Sequence, residues 1–369
     1  MKKKIVVAVT LALFLGLGMA TITPSVEAQK TITWRMQTTW PAGLSLHDSA
    51  VDLANRISEL SGGRLKIEIS PAGTMVPAFE VLDAVHRGII DAAHGWSAYW
   101  IGKQPTANLF SSVAGGPFGM DNVDYAAWLY YGGGIEYYNK MYADILKMKV
   151  VVFPTDLIAS EPLGWFKKEI KSVDDLKGLK FRAAGLTAEI YRELGMSIIT
   201  LPGGEIVSAL ERGILDGAEF MDPTSDKDLG FHDVVKYYHA PGMHRHTGTL
   251  EFLVNKDAYD KLPPDLQKIV DIACRENLLR AWVGLVTRNV SDLEELQNRY
   301  NVKLVQTPPE VITAILESWD KVAARYVQQD PFFAEVYQSQ KDFAAKMVPY
   351  RRSFYVPYEL AADYYWPRD

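Results

Sequence analysis

Apolar and polar residues alternate through TITWRMQTTW (31–40) and again through RLKIEISPAG (64–73), the period of strands with one buried face. Between them, LHDSAVDLANRISELSGG (46–63) places its apolar residues three and four apart, as a helix does, and ends on a glycine pair. AFEVLDAVHRG (78–88) predicts a second helix, with His86 and Arg87 in a last turn where positive charge suits the helix dipole and Gly88 as its stop. IIDAAHGW (89–96) then reads as a short strand. Strand, helix, strand, helix, strand predicts a mostly parallel sheet covered by helices.

The same order returns further on. LKGLKFRAAG (176–185), LTAEIYRELGM (186–196), SIITLPGG (197–204), EIVSALERG (205–213) and ILDGAEFM (214–221) read as strand, helix, strand, helix, strand. The two copies agree at Glu80/Glu205, Ala84/Ala209, Arg87/Arg212, Gly88/Gly213, Ile89/Ile214, Asp91/Asp216 and Ala93/Ala218, a constant offset of 125 residues. Two copies at that spacing are not a solenoid, whose repeats are about 20–50 residues long. They are two lobes built on similar units. VVVFPTD (150–156) reads as a buried strand leaving the first lobe and LEFLVNKDAYDKLP (250–263) as one returning to it. The expected division is therefore 29–154 with 250–305 as a discontinuous first lobe, 155–249 as the second, and 306–369 as a C-terminal helical segment packing on both lobes or on a dimer partner. The fold class is α/β, with two lobes, mixed sheets, flanking helices, a hinge where the chain crosses near 154 and 250, and long C-terminal helices. Open α/β sheets bind ligands beyond the carboxyl ends of their strands, so the ends of the two copies, AAHGWSAYW and GAEFMDP, should face one cleft.

Composition narrows the chemistry. Lys2, Lys3 and Lys4 precede an apolar run from Ile5 to about Ala20, and Val26 and Ala28 are small residues before a cut, which reads as a secretory signal peptide over 1–28. The net charge of −6 becomes −8 once residues 1–28, with three lysines and Glu27, are removed. An acidic exported chain without a basic run is unsuited to nucleic acid or anionic membrane surfaces. Cys274, alone in the chain, reads as a buried structural thiol. There is no HExxH, CxxC, Walker loop or GxSxG elbow. His239, His244 and His246 lie in a Pro/Gly loop without helical register and read as surface or supporting histidines rather than a metal centre. By residue type alone, Arg182 at the end of GLKFR is either a two-pronged clamp for a carboxylate or an ordinary salt-bridge arginine.

WRMQTTWPAG, PAGTMVPAFEVLDAVHRGIIDAAH, AYWIGKQPT, LGWFKKEIKSVDDLKGLKFRAAG, LPGGEIVSALERGILDGAEF, LGFHDVVKYYHAPGMH and LEFLVNKDAYDKLPPDLQKIV together resemble the solute-binding proteins of tripartite ATP-independent periplasmic (TRAP) transporters. The likeness is greatest to the branch that binds α-keto acids and lactate with a metal ion. The resemblance implies a periplasmic protein that closes on a small 2-oxo or 2-hydroxy monocarboxylate and delivers it to membrane permease subunits, with no organic cofactor and no reaction. It implies substrate contacts from Arg182, Tyr99, Gln37, Glu161, Glu219 and Phe220. It also implies a metal held by Glu161, Glu219, the Phe220 carbonyl and Glu251. Glu161 departs from the glutamine common in that branch, and Asp222 from a glycine. Three carboxylates around one ion favour Ca²⁺ over Na⁺. Asp222 either faces solvent or alters the ligand preference. Trp40, Trp96 and Trp100 read as packing residues. Two other functions remain in view: a ligand sensor feeding a signalling receptor, and an exported metal-dependent enzyme. The aromatic C-terminus can serve a homodimer or cap the core.

Overall fold

A computed structural model describes residues 31–367 other than 112, 115 and 246; the expected signal peptide and His246 lie outside the described residues. Two mixed sheets form. The first contains β1 (Ile32–Thr38), β2 (Leu65–Ser70), β3 (Ala92–Gly95), β4 (Val150–Leu157) and, later in the chain, β10 (Thr249–Asn255), in the order β2-β1-β3-β10-β4. The second contains β5 (Gly164–Phe166), β6 (Lys180–Arg182), β7 (Ser197–Ile199), β8 (Gly217–Ala218), β9 (Tyr237–Ala240) and β11 (Lys303–Gln306), in the order β11-β9-β5-β8-β6-β7. In each, three parallel strands meet an antiparallel one: β2-β1-β3 meets β10, and β7-β6-β8 meets β5.

The duplicated phrase explains that likeness. Helices Val81–His86 and Ile206–Glu211 occupy equivalent positions, each led in by a short 3₁₀ turn. Gly88 and Gly213 stop them at φ +70° and +71°, where a side chain would be strained. The shared aspartates then tie the new strand to its neighbour. Asp91 accepts from the Arg35 backbone N–H (2.8 Å) beside β3, and Asp216 accepts from that of Lys180 (3.0 Å) beside β8. Each aspartate's own N–H donates back, to the carbonyls of Arg35 (2.9 Å) and Lys180 (2.6 Å). A carboxylate at that position closes a two-bond clasp, which fixes the register of the strand that follows and so where its carboxyl end points.

The chain leaves the first sheet after Leu157 and re-enters it at Thr249. A third connection was not expected from the sequence. The 35-residue helix Pro264–Asn298 buries Leu266, Val270, Ala273 and Cys274 in the core beneath the first sheet and Leu296 in the core of the second. At 1.5 Å per residue it is a strut of about 50 Å. It delivers β11 to the second sheet, parallel to β9, so the boundary drawn at 305 falls within a strand of the second sheet. Cys274 is buried, matching its reading as a packing residue. Among the described residues no helix is long and apolar enough to cross a membrane.

Candidate functional site

The carboxyl ends of β6 and β8 present Arg182, Glu219 and Phe220; the turn after β3 presents Trp96 and Tyr99. Arg182 is almost fully buried. Its Nε donates to the Leu201 carbonyl (3.0 Å), and Nη1 donates to the carbonyl (2.8 Å) and carboxylate (3.2 Å) of Glu219. Its Nη2 has no hydrogen-bond partner, although buried. A buried donor left unpaired costs about 1–3 kcal/mol, so that nitrogen marks a place for an acceptor.

Glu219 takes a second hydrogen bond on Oε1, from the Ala184 N–H (3.2 Å), while Oε2 has no partner. Burial pushes its carboxyl up to about 7, against the pull of Arg182. Glu161, equally buried, meets Nε2 of His244 through Oε2 (3.1 Å); its Oε1 lies against the guanidinium of Arg245 but makes no hydrogen bond. His244 Nδ1 meets the Tyr191 hydroxyl at 2.8 Å. Ligand atoms of Glu161, Glu219 and His244 lie within 4.8 Å of one another, so His244 belongs to this cluster rather than to the surface. His239 is separate: its Nε2 accepts from the Ile170 N–H (3.1 Å), and burial lowers it to about 4, leaving it neutral.

Arg245 is the residue the sequence reading passed over. It donates from Nη2 to the Phe220 carbonyl (2.5 Å), and its guanidinium lies 4.3 Å over the Trp96 ring. Burial pulls it down to about 9, with Tyr99 opposing, and it remains charged at neutral pH. Successive carbonyls at the end of β8 thus each hold a guanidinium, Arg182 on Glu219 and Arg245 on Phe220. The signal in the sequence was a single arginine between two histidines in a loop otherwise free of charge.

Tyr99 packs against Trp40, Trp96 and Phe79. Burial raises the pKa of its hydroxyl, and Arg182 and Arg245 draw it back down. Trp40 is held by donating to His94 Nδ1 (2.9 Å), so the His94 proton sits on Nε2, which faces Asp156 (3.0 Å). These rings, with Arg182, Arg245, Phe220, Leu46, Ile158, Met221 and Leu250, line a cavity of about 10 Å³, room for about one water. A second cavity of about 270 Å³ shares Leu46 and Met221 with it but is lined by Asp48, Asp52 and Asp156 beside Arg280 and Arg288. Its acidic lining disfavours an anion, whereas the small cavity has two guanidinia and no carboxylate in its wall.

Three assignments are corrected. Gln37 does not reach the site: it donates to the Val76 carbonyl (2.7 Å) and accepts from the N–H groups of Met75 (2.7 Å) and Val76 (3.0 Å), so its amide is spent pinning that turn. Glu251 lies apart from Glu161 and Glu219. Its Oε1 accepts from Trp100 Nε1 (2.6 Å) and its Oε2 from the hydroxyls of Tyr138 and Tyr142 (2.7 Å each). Asp222 neither faces solvent nor joins the cluster. It caps the helix Pro223–Leu229 by accepting from the Ser225 N–H (2.8 Å), a role its Asp-Pro sequence permits. An ion of the kind the resemblance implies would take oxygens from Glu161 and Phe220. Glu161, Glu219 and His244 together form a group that could hold a metal ion, and one buried oxygen of each glutamate has no hydrogen-bond partner, which fits a cation there.

The sequence profile of DctP, bacterial extracellular solute-binding protein family 7, matches residues 36–330. The monocarboxylate 2-oxoacid-binding periplasmic protein of Nostoc sp. is 37% identical over 344 residues, 93% of either chain. Solved structures agree. A TRAP transporter solute-binding protein from Bordetella bronchiseptica, with calcium and picolinate in its active site, has a TM-score of 0.84 at 31% identity, covering 91% of this chain and 97% of its own. One from Pseudoalteromonas atlantica, with bound sodium and pyruvate, has a TM-score of 0.82 at 33% identity, covering 88% and 97%. The chain therefore belongs to the DctP family, as a solute-binding protein of the TRAP type.

Proposed function

We propose that this protein captures a small 2-oxo or 2-hydroxy monocarboxylate between its two sheets and hands it, unchanged, to TRAP permease subunits. The observation that carries the reading is the convergence of Arg182 and Arg245 on one apolar cavity, with a nitrogen of each buried and unpartnered. Charge-assisted hydrogen bonds to guanidinium are the strong ones, and aromatic walls shed the water that would weaken them. The acids of the relatives, 2-oxoacids and pyruvate, carry the matching oxygens.

A cavity of about 10 Å³ is too small for even the smallest of these acids. Entry therefore requires the Trp96–Tyr99 wall, which follows β3, to part from the Arg182–Phe220 wall, which follows β6 and β8. Motion of this kind falls to the connections after Leu157, before Thr249 and along the helix Pro264–Asn298, with the first sheet in one lobe and the second, β11 included, in the other. A ligand drives closure by contacts made only in the closed state. Residues 1–28 act as the export signal, and the working compartment is the periplasm. Exposed Tyr358, Tyr364 and Trp366 in the C-terminal segment 306–369 suit a contact with a second copy. Thermal unfolding with pyruvate, lactate and longer 2-oxo acids tests the reading. A ligand at 100 times its Kd stabilises the folded form by about 2.7 kcal/mol, and the rise in Tm should vanish in Arg182→Ala. If no acid raises Tm in the wild type, the reading fails.

A further inference from the structure

The small cavity beside Arg182 and Arg245 has two larger neighbours. The acidic one of about 270 Å³ shares Leu46 and Met221 with it. The other, a chamber of about 210 Å³, has Phe79, Ala98, Ile101 and Ala188 in its wall, along with Glu189 and Arg192. Among the described residues, Tyr99 alone lines both this chamber and the small cavity, so its ring is the partition between them.

That ring is fixed in place. Its centroid lies 4.7 Å from that of Phe79, 5.2 Å from Trp96 and 6.1 Å from both Trp40 and Trp100, separations at which rings attract. Trp40 and Trp100 are themselves pinned, by His94 (2.9 Å) and Glu251 (2.6 Å). All four rings belong to the first lobe, so Tyr99 travels with that lobe when the walls part for an acid. In the closed form the chamber cannot spread either. A Cβ added at Gly185, in the second lobe, would sit 2.9 Å from that of Ala98, closer than packed carbons come. The next residue, Leu186, donates its N–H to Asn108 Oδ1 (2.9 Å) across the same contact. Glu189 and Arg192 carry opposite charges, and Glu189 is already held by Arg325 and Tyr326, so the chamber offers no net charge to a second carboxylate. Its apolar wall suits hydrocarbon.

We propose that Tyr99 fixes the chain length of the acid. By walling off the chamber it restricts the site to acids with a short tail, and a smaller residue at 99 admits branched 2-oxo acids, whose hydrocarbon enters the chamber. The proposal rests on the ligand reading above, and the acid's carboxylate end stays with Arg182 and Arg245.

The test compares pyruvate with 4-methyl-2-oxopentanoate by calorimetric titration of the full chain, exported and purified, with calcium and sodium present. Each methylene that an apolar pocket accepts is worth about tenfold or more in discrimination. Wild type should therefore bind pyruvate about tenfold or more tighter than the branched acid, and Tyr99→Ala should move that ratio about tenfold or more toward the branched acid. A ratio that falls short of either mark overturns the proposal. Ile101→Trp, added to Tyr99→Ala, refills the chamber and should return the preference toward pyruvate. A preference it leaves unchanged assigns the gain to a loosened aromatic wall and overturns the role of the chamber. Should Tyr99→Ala not fold, Tyr99→Val is read in its place, and Ala188→Leu is the second choice of filler. If wild type binds no acid, the ligand reading falls and this one with it; pyruvate bound with an unmoved ratio overturns the role of Tyr99 alone.

Discussion

Glu251 and Glu219 are both glutamates sealed from water, and they differ in how they are satisfied. Glu251 has three neutral donors, Trp100, Tyr138 and Tyr142, and no oxygen to spare. Burial raises its carboxyl, and those three donors offset part of the rise. Glu219 has one guanidinium and one backbone N–H, both on the same oxygen, and its other oxygen is unpaired. Unpaired nitrogens of Arg182 and Arg245 accompany it. A saturated carboxylate is framework, because every bond it can make is made within the fold. An unsaturated cluster holds unspent hydrogen-bonding capacity, which only another molecule can use.

That contrast is open to attack, and the largest effect should come from the framework side. Glu251→Ala strands three buried donors at about 1–3 kcal/mol each. After partial relaxation we expect a loss of about 4 kcal/mol in urea unfolding, with acid affinity within about twofold of wild type. A large loss of affinity with intact stability would erase the distinction. Next, Arg182→Ala should weaken acid binding by about 100-fold or more, since removing one partner of a buried charged pair costs about 2–5 kcal/mol. Calorimetric titration with pyruvate measures it, and an unchanged Kd would remove Arg182 from the site.

Asp226 extends the comparison through pH. It accepts from Trp165 Nε1 (2.8 Å), the Tyr238 hydroxyl (3.3 Å) and the Met221 N–H (3.1 Å), and burial pushes its carboxyl up to about 8. The folded chain therefore keeps a proton that the unfolded chain releases near 3.8. The stability this contributes is complete below that value and drains away as pH rises towards about 8. Asp226→Asn, which stays neutral, should flatten the decline and gain about 1–2 kcal/mol over wild type at alkaline pH in urea melts; parallel pH profiles for the two would count against it. The smallest effect belongs to Tyr99→Phe. It deletes one hydroxyl at the cavity wall and should weaken acid binding about threefold without lowering Tm, the size of a single neutral hydrogen bond. A loss beyond about 30-fold would make Tyr99 an anchor on the scale of Arg182.

Much of the scaffold was legible because its causes are local. The glycine stops at 88 and 213, the clasping aspartates at 91 and 216 and the helical spacing around them act within a few residues, and the duplicated phrase announced two similar sheets. Tyr99, Glu219 and Phe220 were brought to one cleft by the rule that strand ends face it, and Arg182 was joined to them by the family resemblance. Asp222 was legible in principle, since aspartate before proline is a helix start, but it was read only as a departure from the family. Glu251 and Gln37 were not legible. The tyrosines that saturate Glu251 lie 113 and 109 residues away, and the turn that consumes Gln37 lies 38 and 39 residues away. No local pattern records which distant donor will arrive.

By itself the sequence determined the export signal as an expectation, the two-fold α/β plan and the strand ends at which chemistry would gather. Periodicity, glycine stops and charge are properties of neighbours in the chain, and they carry over into structure whatever the rest of the molecule does. Only the tertiary structure decided which buried groups would be saturated. It closed Glu251 inside the framework, turned His244 inward onto Glu161, and set Arg245 on the Phe220 carbonyl. The reason is physical: the energy of a buried charge is set by what surrounds it within a few ångströms, and those surroundings are assembled from segments the sequence keeps far apart.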